Sequence, residues 1–336
     1  MIKNMHIEVE HFPIAGRFTI ARGSKTEAVV VTVRLEAETT SGAEVRGWGW
    51  GECVPYTRYG ETVEGVVAAL DSVRDAVLAG ADRAHVQALL PHGAARNSLD
   101  CAYWDLEAKL SGVPASKRAA VGELRSVTTA YTISLDTPSA MAESVLKAQG
   151  RPVLKVKLGG PGGDLERIRA IRQAAPRAIL IADANEGWTE ENFDEHLSAC
   201  AESRFALIEQ PLPAARDEFL RGRDLPPVPL CADESVHDRP SLARLKGLYQ
   251  VVNVKLDKTG GLTEALLMVR EAEKLGLGIM VGCMVGTSLA MAPALLLAGR
   301  AQFIDLDGPL LLARDRDNGL KYEGSIIFPP ESLLWG

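Results

Sequence analysis

The sequence predicts an eight-stranded parallel α/β barrel of the (β/α)7β type, with an α+β module before it and a short return segment after it. Three observations carry that expectation. From residue 128 onward, apolar runs of strand length recur eight times. Between them lie amphipathic stretches rich in Ala, Leu, Arg and Glu, the alternation that builds a parallel sheet with helices outside it. Residues 1 to about 125 show no such period, and 336 residues suit a barrel of roughly 250 residues plus an added module.

In the first module, residues 6–18 and 28–38 alternate apolar and polar side chains as an antiparallel pair does, with a turn at 21–25 between them. A loop dense in Gly, Trp, Tyr and Pro follows at 47–61. Helical periodicity then covers 62–80 and 94–110, the second placing Leu99, Ala102, Tyr103, Leu106 and Leu110 on one face. The segments around 16–26 and 47–61 are longer than the connectivity needs, a common mark of functional loops. The module ends near residue 125.

The eight strand runs fall at 128–134, 153–157, 179–183, 205–209, 229–233, 251–255, 278–283 and 303–307, with helical stretches such as 164–173, 190–202 and 262–275 between them. No helix follows the last run, so the barrel is expected to span 126–310, and residues 311–336 to return to the first module. One span, 275–299, has no charged residue and is long enough to cross a bilayer. Its glycines, Pro293 and the break at Gly286-Thr287-Ser288 divide it into a strand-like and a helix-like half, as a buried βα unit requires.

A composition of 46% hydrophobic and 24% charged residues supplies a large core, and a net charge of −7 without a basic run argues against nucleic acid or an anionic membrane as partner. The five cysteines, Cys53, Cys101, Cys200, Cys231 and Cys283, are scattered and lack CxxC spacing. They are expected to be reduced, mostly buried thiols. The first ten residues alternate charged and apolar side chains and lack the apolar stretch of a signal peptide, from which a cytoplasmic location is expected. None of the histidines falls at a strand end, and all are expected to be structural.

Chemistry in such a barrel sits at the carboxyl ends of the strands. In the second run, Lys155 and Lys157 share one face by the period of two, with Leu154, Val156 and Leu158 on the other. A lone KxK is most often an exposed face with two solvated ammonium groups. Inside a site, each cation raises the cost of charging the other and pushes one lysine towards a neutral, basic form. Runs three, four and five end in Asp183, Glu209 and Asp233, and run six in Lys255. Three carboxylates on consecutive strands converge as an all-oxygen site for a hard cation such as Mg²⁺, one per subunit; the alternative is three acids paired with nearby basic residues. Runs two and six are four apart in a ring of eight. Lys157 and Lys255 therefore face each other across the metal, placed to take a proton from one face of a carbon and return one to the other. Run eight lies opposite run four and carries Asp305 and Asp307 on one face, a site for the ammonium of a ligand whose far end is anionic. The spacing suits a dipeptide; the alternative for this pair is a surface or helix-cap role.

Lys155-x-Lys157, Asp183-Ala184-Asn185, Glu209-Gln210-Pro211, Asp233-Glu234-Ser235 and Asn253-Val254-Lys255 together resemble the enolase superfamily, muconate-lactonising subgroup, whose members pair a Lys or His base with Mg²⁺ to stabilise an enediolate. Asp305-x-Asp307, Arg22-Gly23-Ser24 and the segment 55–61 are similar to the L-Ala-D/L-Glu dipeptide epimerases of that subgroup. The resemblance covers nearly the whole chain. It implies a (β/α)7β modified TIM barrel with an N-terminal α+β capping domain completed by the C-terminal segment. The two capping loops would close over the barrel and read the substrate's side chain, Arg22 by forking a glutamate carboxylate, with Tyr56, Arg58 and Tyr59 beside it. The alternative for Arg22 is an ordinary surface arginine at a turn. Gly282-Cys283-Met284 stands where many members carry Gly-Ser-Met, so Cys283 and Met284 are expected to line the pocket.

The implied reaction is 1,1-proton transfer at the C-terminal α-carbon of a dipeptide, in murein-peptide metabolism. Lys157 and Lys255 would exchange the proton, and Lys155 would tune Lys157 and meet the developing oxyanion. Rival reactions using the same metal and lysines are those of o-succinylbenzoate synthase, a cycloisomerase and an N-acylamino-acid racemase. The acidic pair disfavours them, because their substrates carry no ammonium group to offset two aspartates in a closed cavity. A non-catalytic Mg²⁺-dependent dipeptide-binding protein would need neither opposed lysine. Small dipeptides are thus the expected partners, with no nucleic acid and no membrane, and assembly as a homo-oligomer is compatible with the resemblance.

Overall fold

The computed structural model of the chain describes residues 1–38, 46–224 and 228–336. Alternating side chains build its first sheet, in which β1 (Ile2–Ile20), β2 (Gly23–Glu38) and β3 (Arg46–Cys53) run antiparallel in that order. Val31, Val33, Leu35 and Ala37 of β2 fall on one face and are buried with Leu99, Ala102, Tyr103 and Leu106 of the helix Ala94–Ser111. The stretch 47–61 is not a single loop, because its first half belongs to β3. Glycine is disfavoured in strands, which hides Gly47-Trp48-Gly49-Trp50-Gly51 from a reading based on propensity. Packing requires those glycines: a Cβ on Gly49 would fall under 3.0 Å from the backbone of Leu106 and Ala102, and one on Gly51 equally close to that of Ser98. Residues 54–61 remain a loop containing the 3₁₀ turn Thr57–Tyr59. The helical stretch 62–80 breaks at Val73 into Val63–Ser72 and Arg74–Leu78.

The run expected at 128–134 divides into β4 (Val127–Thr128) and β5 (Tyr131–Ile133). From β5 a parallel sheet continues through β6 (Val153–Lys157), β7 (Ile179–Asp183), β8 (Leu207–Glu209), β9 (Leu230–Ala232), β10 (Val251–Val254), β11 (Gly278–Gly282) and β12 (Phe303–Asp305). Ala130 N donates to Ile304 O and Leu306 N to Thr129 Oγ1, both at 2.8 Å, which joins β12 back to the start of β5. Helices such as Pro138–Lys147, Asp164–Ala174, Phe193–Glu202 and Leu262–Lys274 link the strands. Among the described residues the β8–β9 connection holds only the 3₁₀ turn Asp217–Leu220, and β12 is followed by a single helical turn, Gly308–Leu311.

Ala130, Val153, Ile181, Leu207, Cys231, Val251, Met280 and Phe303 pack together as the floor of the barrel. Each comes from, or immediately precedes, a different strand. Side chains on one face recur every two residues, so the next inward layer is Thr132, Lys155, Asp183, Glu209, Asp233, Asn253, Gly282 and Asp305. Two residues further up stand Lys157, Lys255 and Asp307. An apolar floor thus carries a polar layer directly above it, on rigid strands.

Beyond the barrel, β13 (Tyr322–Glu323) and β14 (Ile326–Ile327) form a small antiparallel sheet with β4. The chain end then packs on the helix Ala94–Ser111, where Trp335 Nε1 donates to Cys101 O at 3.1 Å and Gly336 N to Asp105 Oδ1 at 2.7 Å. All five cysteines are unpaired and all but Cys283 are buried. Among the described residues no helix is long and apolar enough to cross a membrane. The uncharged span 275–299 is largely β11, the helix Ser288–Ala294 and the 3₁₀ turn that begins at Leu295.

Candidate active site

Backbone register sets the site. Lys157 is level with Asp183, and Asp183 with Glu209, across β6, β7 and β8. Cys231 of β9 is level with Glu209, which places Asp233 two residues higher. Asp183, Glu209 and Asp233 are all buried, and lysines answer their charge. Lys157 Nζ donates to Asp183 Oδ2 at 2.5 Å and Lys255 Nζ to Asp233 Oδ2 at 2.7 Å. Lys155 rises from the layer below and spans the barrel, 2.7 Å from Asp305 Oδ2, 2.7 Å from Glu209 Oε2 and 3.1 Å from Asp183 Oδ2. Asp305 and Asp307 are therefore not an unpaired acidic pair. Asp305 has Lys155, while one oxygen of Asp307 takes the Thr132 N–H at 2.6 Å; among the described residues Asp305 Oδ1 has no hydrogen-bond partner.

Burial opposes charge on Lys155, Lys255, Asp233, Glu209 and Asp307, and the neighbours decide the outcome. At Lys155 the cost of burial is outweighed by Asp305, Glu209 and Asp183, which hold its pKa well above that of an ordinary lysine. Lys255 is held up in the same way by Asp233. Asp233 lies well below the usual carboxylate range, because Lys255 and Lys258 outweigh its burial. Glu209 moves the other way: burial, then repulsion from Asp183, push it up to about 7. Asp307 is likewise pushed up to about 7, by burial and then by Asp305. The expected push of one lysine towards a neutral form does not fall on Lys155, where cation–anion pairing outweighs it. Barrel closure surrounds it with carboxylates that strand alternation alone does not place.

The donor chemistry fits a hard divalent cation. Among the described residues no three His, Cys, Asp or Glu side chains stand as a preformed ligand set, since Asp183, Glu209 and Asp233 are turned to the lysines. They are nonetheless three oxygen donors on adjacent strands. Lys155 meets Glu209 Oε2 without hydrogen-bond alignment, which leaves that buried oxygen with no hydrogen-bond donor among the described residues.

Above these residues opens a cavity of about 700 Å³. Lys155, Lys157, Asp233, Lys255, Asp305 and Asp307 line it from the barrel. Arg22, Tyr56, Arg58 and Tyr59 line it from the first module, with Cys283 and Met284 beyond β11. The arginines arrive already engaged. Arg22 Nη2 donates to Glu234 Oε1 at 2.7 Å and to Tyr56 OH at 3.0 Å, and its Nη1 to Asn185 O at 2.7 Å. Arg58 donates through Nε and Nη2 to the two oxygens of Glu186, both at 2.7 Å. Neither Glu186 nor Glu234 stands out in the sequence as a partner for these arginines. Asn185 at φ 45° and Glu186 at φ 67° adopt the left-handed conformation, a backbone feature that residue identities do not announce. Asn253, quoted in the sequence motif without a role, is a further site residue, donating to Glu209 Oε1 at 2.7 Å. Its place two residues before Lys255, on the same face, is the available signal. Lys258, one helical turn beyond Lys255, donates to Asp233.

Residues 139–313 match the family model of the enolase C-terminal domain-like fold, and residues 3–117 that of the mandelate racemase / muconate lactonizing enzyme N-terminal domain. The chain belongs to the enolase superfamily. Within that superfamily, an L-Ala-D/L-Glu epimerase of Escherichia coli (strain K12) is 44% identical over 323 residues, 96% of this chain and 98% of the relative. An N-acetyl-D-glutamate racemase of a Pseudoalteromonas species is 45% identical over 302 residues, 88% of this chain and 93% of the relative. Among solved structures, an enolase family member from Agrobacterium tumefaciens with homology to dipeptide epimerases, bound to sodium and L-Ala-L-Glu, is 52% identical with a TM-score of 0.94 over 99% of both chains. The resemblance seen in the sequence motifs is borne out, and the chain is an isomerase of the racemase and epimerase kind.

Proposed function

We propose that the chain is a Mg²⁺-dependent epimerase of dipeptides, with L-Ala-D/L-Glu as substrate and the C-terminal α-carbon as the centre inverted. The observation that carries this reading is the entry of Lys157 and Lys255 into one cavity from β6 and β10, four strands apart, with a buried carboxylate on each strand between them. Inversion needs an acid and a base on opposite faces of one carbon, and opposed strands supply that. Asp183, Glu209 and Asp233 would hold the metal, which when bound supplies Lewis-acid stabilisation of the charge that grows on the substrate's carboxylate. Lys157 and Lys255 remove and return the α-proton from opposite sides. Lys155 keeps a fixed positive charge beneath them. Asp305, through its unpartnered Oδ1, and Asp307 take the substrate's ammonium group.

The choice of L-Ala-D/L-Glu draws on the Escherichia coli relative and on the Agrobacterium tumefaciens structure bound to L-Ala-L-Glu. A cytoplasmic role in murein-peptide metabolism belongs to the same reading. Arg22, the expected reader of the side-chain carboxylate, stands in the cavity wall with its fork already turned to Glu234. A second reading has its own support. Asp305 is neutralised by Lys155 at 2.7 Å, which lessens the need for a substrate ammonium, and the Pseudoalteromonas relative is an N-acetyl-D-glutamate racemase.

NMR of α-hydrogen exchange in D₂O separates the two. L-Ala-L-Glu and L-Ala-D-Glu should exchange their C-terminal α-hydrogen faster than N-acetyl-D-glutamate does; the reverse order would favour the racemase. Chelation should abolish exchange and added Mg²⁺ restore it. Full turnover by metal-free protein would end the metal assignment.

A further inference from the structure

Among the described residues six cations line the cavity: Arg22, Lys25, Arg58, Lys155, Lys157 and Lys255. Five are already answered by anions of the protein. The three barrel lysines meet strand-end carboxylates at 2.5–2.7 Å. Arg58 is closed on Glu186, and Arg22 on Glu234 at 2.7 Å, with Glu186 a further 3.3 Å contact. Lys25 differs. Among the described residues no ion pair or hydrogen bond reaches its Nζ, which lies 5.3 Å from the centre of the Tyr56 ring. Glu27, two residues along the same strand, is turned to His11 at 3.1 Å.

The hairpin places this cation in the cavity wall. Lys25 on β2 stands directly opposite Phe18 on β1, and directly opposed residues share a face of the sheet. The Phe18 ring lies 5.6 Å from Lys157 Nζ, so the shared face looks onto the proton-transfer site. Thr19 O accepts the Leu135 N–H at 3.0 Å, pinning the hairpin tip to the barrel. Lys25 is exposed as a residue, although partial desolvation by its surroundings lowers its pKa from the ordinary lysine value.

We propose that Lys25, rather than Arg22, is the principal contact for the side-chain carboxylate of the substrate's C-terminal residue. An anion brought to Arg22 must displace Glu234 and Glu186 as partners. One brought to Lys25 displaces only water and gives an exposed ammonium, without an ion-pair partner among the described residues, a charge-assisted contact. Arg22 then acts as a positioning residue, tying the hairpin loop to the segments that follow β7 and β9. The proposal rests on the dipeptide-epimerase reading and names the residue that makes such an enzyme prefer an acidic side chain.

The test is steady-state epimerisation of L-Ala-L-Glu and its uncharged isostere L-Ala-L-Gln by the wild-type enzyme, Lys25→Met and Lys25→Arg. For Lys25→Met, KM for L-Ala-L-Glu should rise about tenfold, as loss of one charge-assisted contact implies. KM for L-Ala-L-Gln and kcat on both substrates should stay within about twofold, and Lys25→Arg should restore the glutamate KM. An equal loss on both dipeptides, or no loss on either, overturns the role of Lys25 while leaving the epimerase reading intact. A wild-type enzyme that epimerises neither dipeptide overturns both.

Discussion

Lys157 and Lys255 reach the cavity through different partners, Asp183 for one and Asp233 for the other. They approach from opposite strands of the ring, so each should serve one face of the α-carbon. Replacing either with alanine should lower net epimerisation at least about 10²-fold, since one of two proton transfers then lacks its acid or base. Each mutant should still wash out the α-hydrogen of the single enantiomer that faces its surviving lysine. NMR in D₂O with L-Ala-L-Glu and L-Ala-D-Glu reads this directly. If Lys157→Ala and Lys255→Ala exchange the same enantiomer, the two lysines do not act on opposite faces.

At the scale of elements, the contact between β3 and the helix Ala94–Ser111 bears most on the site, because β3 leads into the loop that carries Tyr56, Arg58 and Tyr59. Gly49 and Gly51 let the strand lie against the helix backbone. The atoms a Cβ on Gly49 would strike are backbone atoms of Leu106 and Ala102, so relief requires moving an element rather than a side chain. Gly49→Ala should therefore destabilise by about 2–3 kcal/mol, in the range of overpacked interiors. The shift of the urea midpoint measures it. A midpoint equal to wild type would mean that the strand and helix separate at little cost.

For the whole molecule, the joint between the barrel and the first module runs through Asp257. Its Oδ1 accepts the Val54 N–H at 3.0 Å and Asn97 Nδ2 at 2.9 Å, linking the end of β10 to the second capping loop and the long helix. Burial pushes its pKa up to about 7, whereas an unfolded aspartate titrates near 3.9. A raised carboxyl pKa means that the folded state binds the proton more tightly. Its stability contribution is complete below about pH 4 and is lost as pH rises through about 7. Asparagine keeps Oδ1 for both donors and carries no charge. Asp257→Asn should thus flatten the loss of stability between about pH 4 and about pH 7. It should also leave the protein more stable at pH 8 by a few kcal/mol, since each pH unit between the folded and unfolded titrations contributes about 1.4 kcal/mol. Parallel pH profiles of the urea midpoint for mutant and wild type would remove Asp257 from this role.

The alternation of apolar and polar residues along each strand is a local property, and so is the amphipathic spacing of each helix. The barrel class, the two inward lysines of β6, the carboxylates ending β7 and β8, and the aspartate just past β9 were therefore legible in the order of residues alone. So was the long helix that backs the first sheet. β3 was not, because its glycines carry meaning only against the helix they touch. Which cation meets which anion was also beyond the sequence. Lys155 pairs with Asp305 across 150 positions of chain, and Arg22 with Glu234 across 212. Those partnerships exist because the ring closes and the hairpin tip docks on it, and no local periodicity encodes either event. The strand pattern by itself determined the residues that face inward; tertiary closure decided their charge partners, and with them which cation stays free for the substrate.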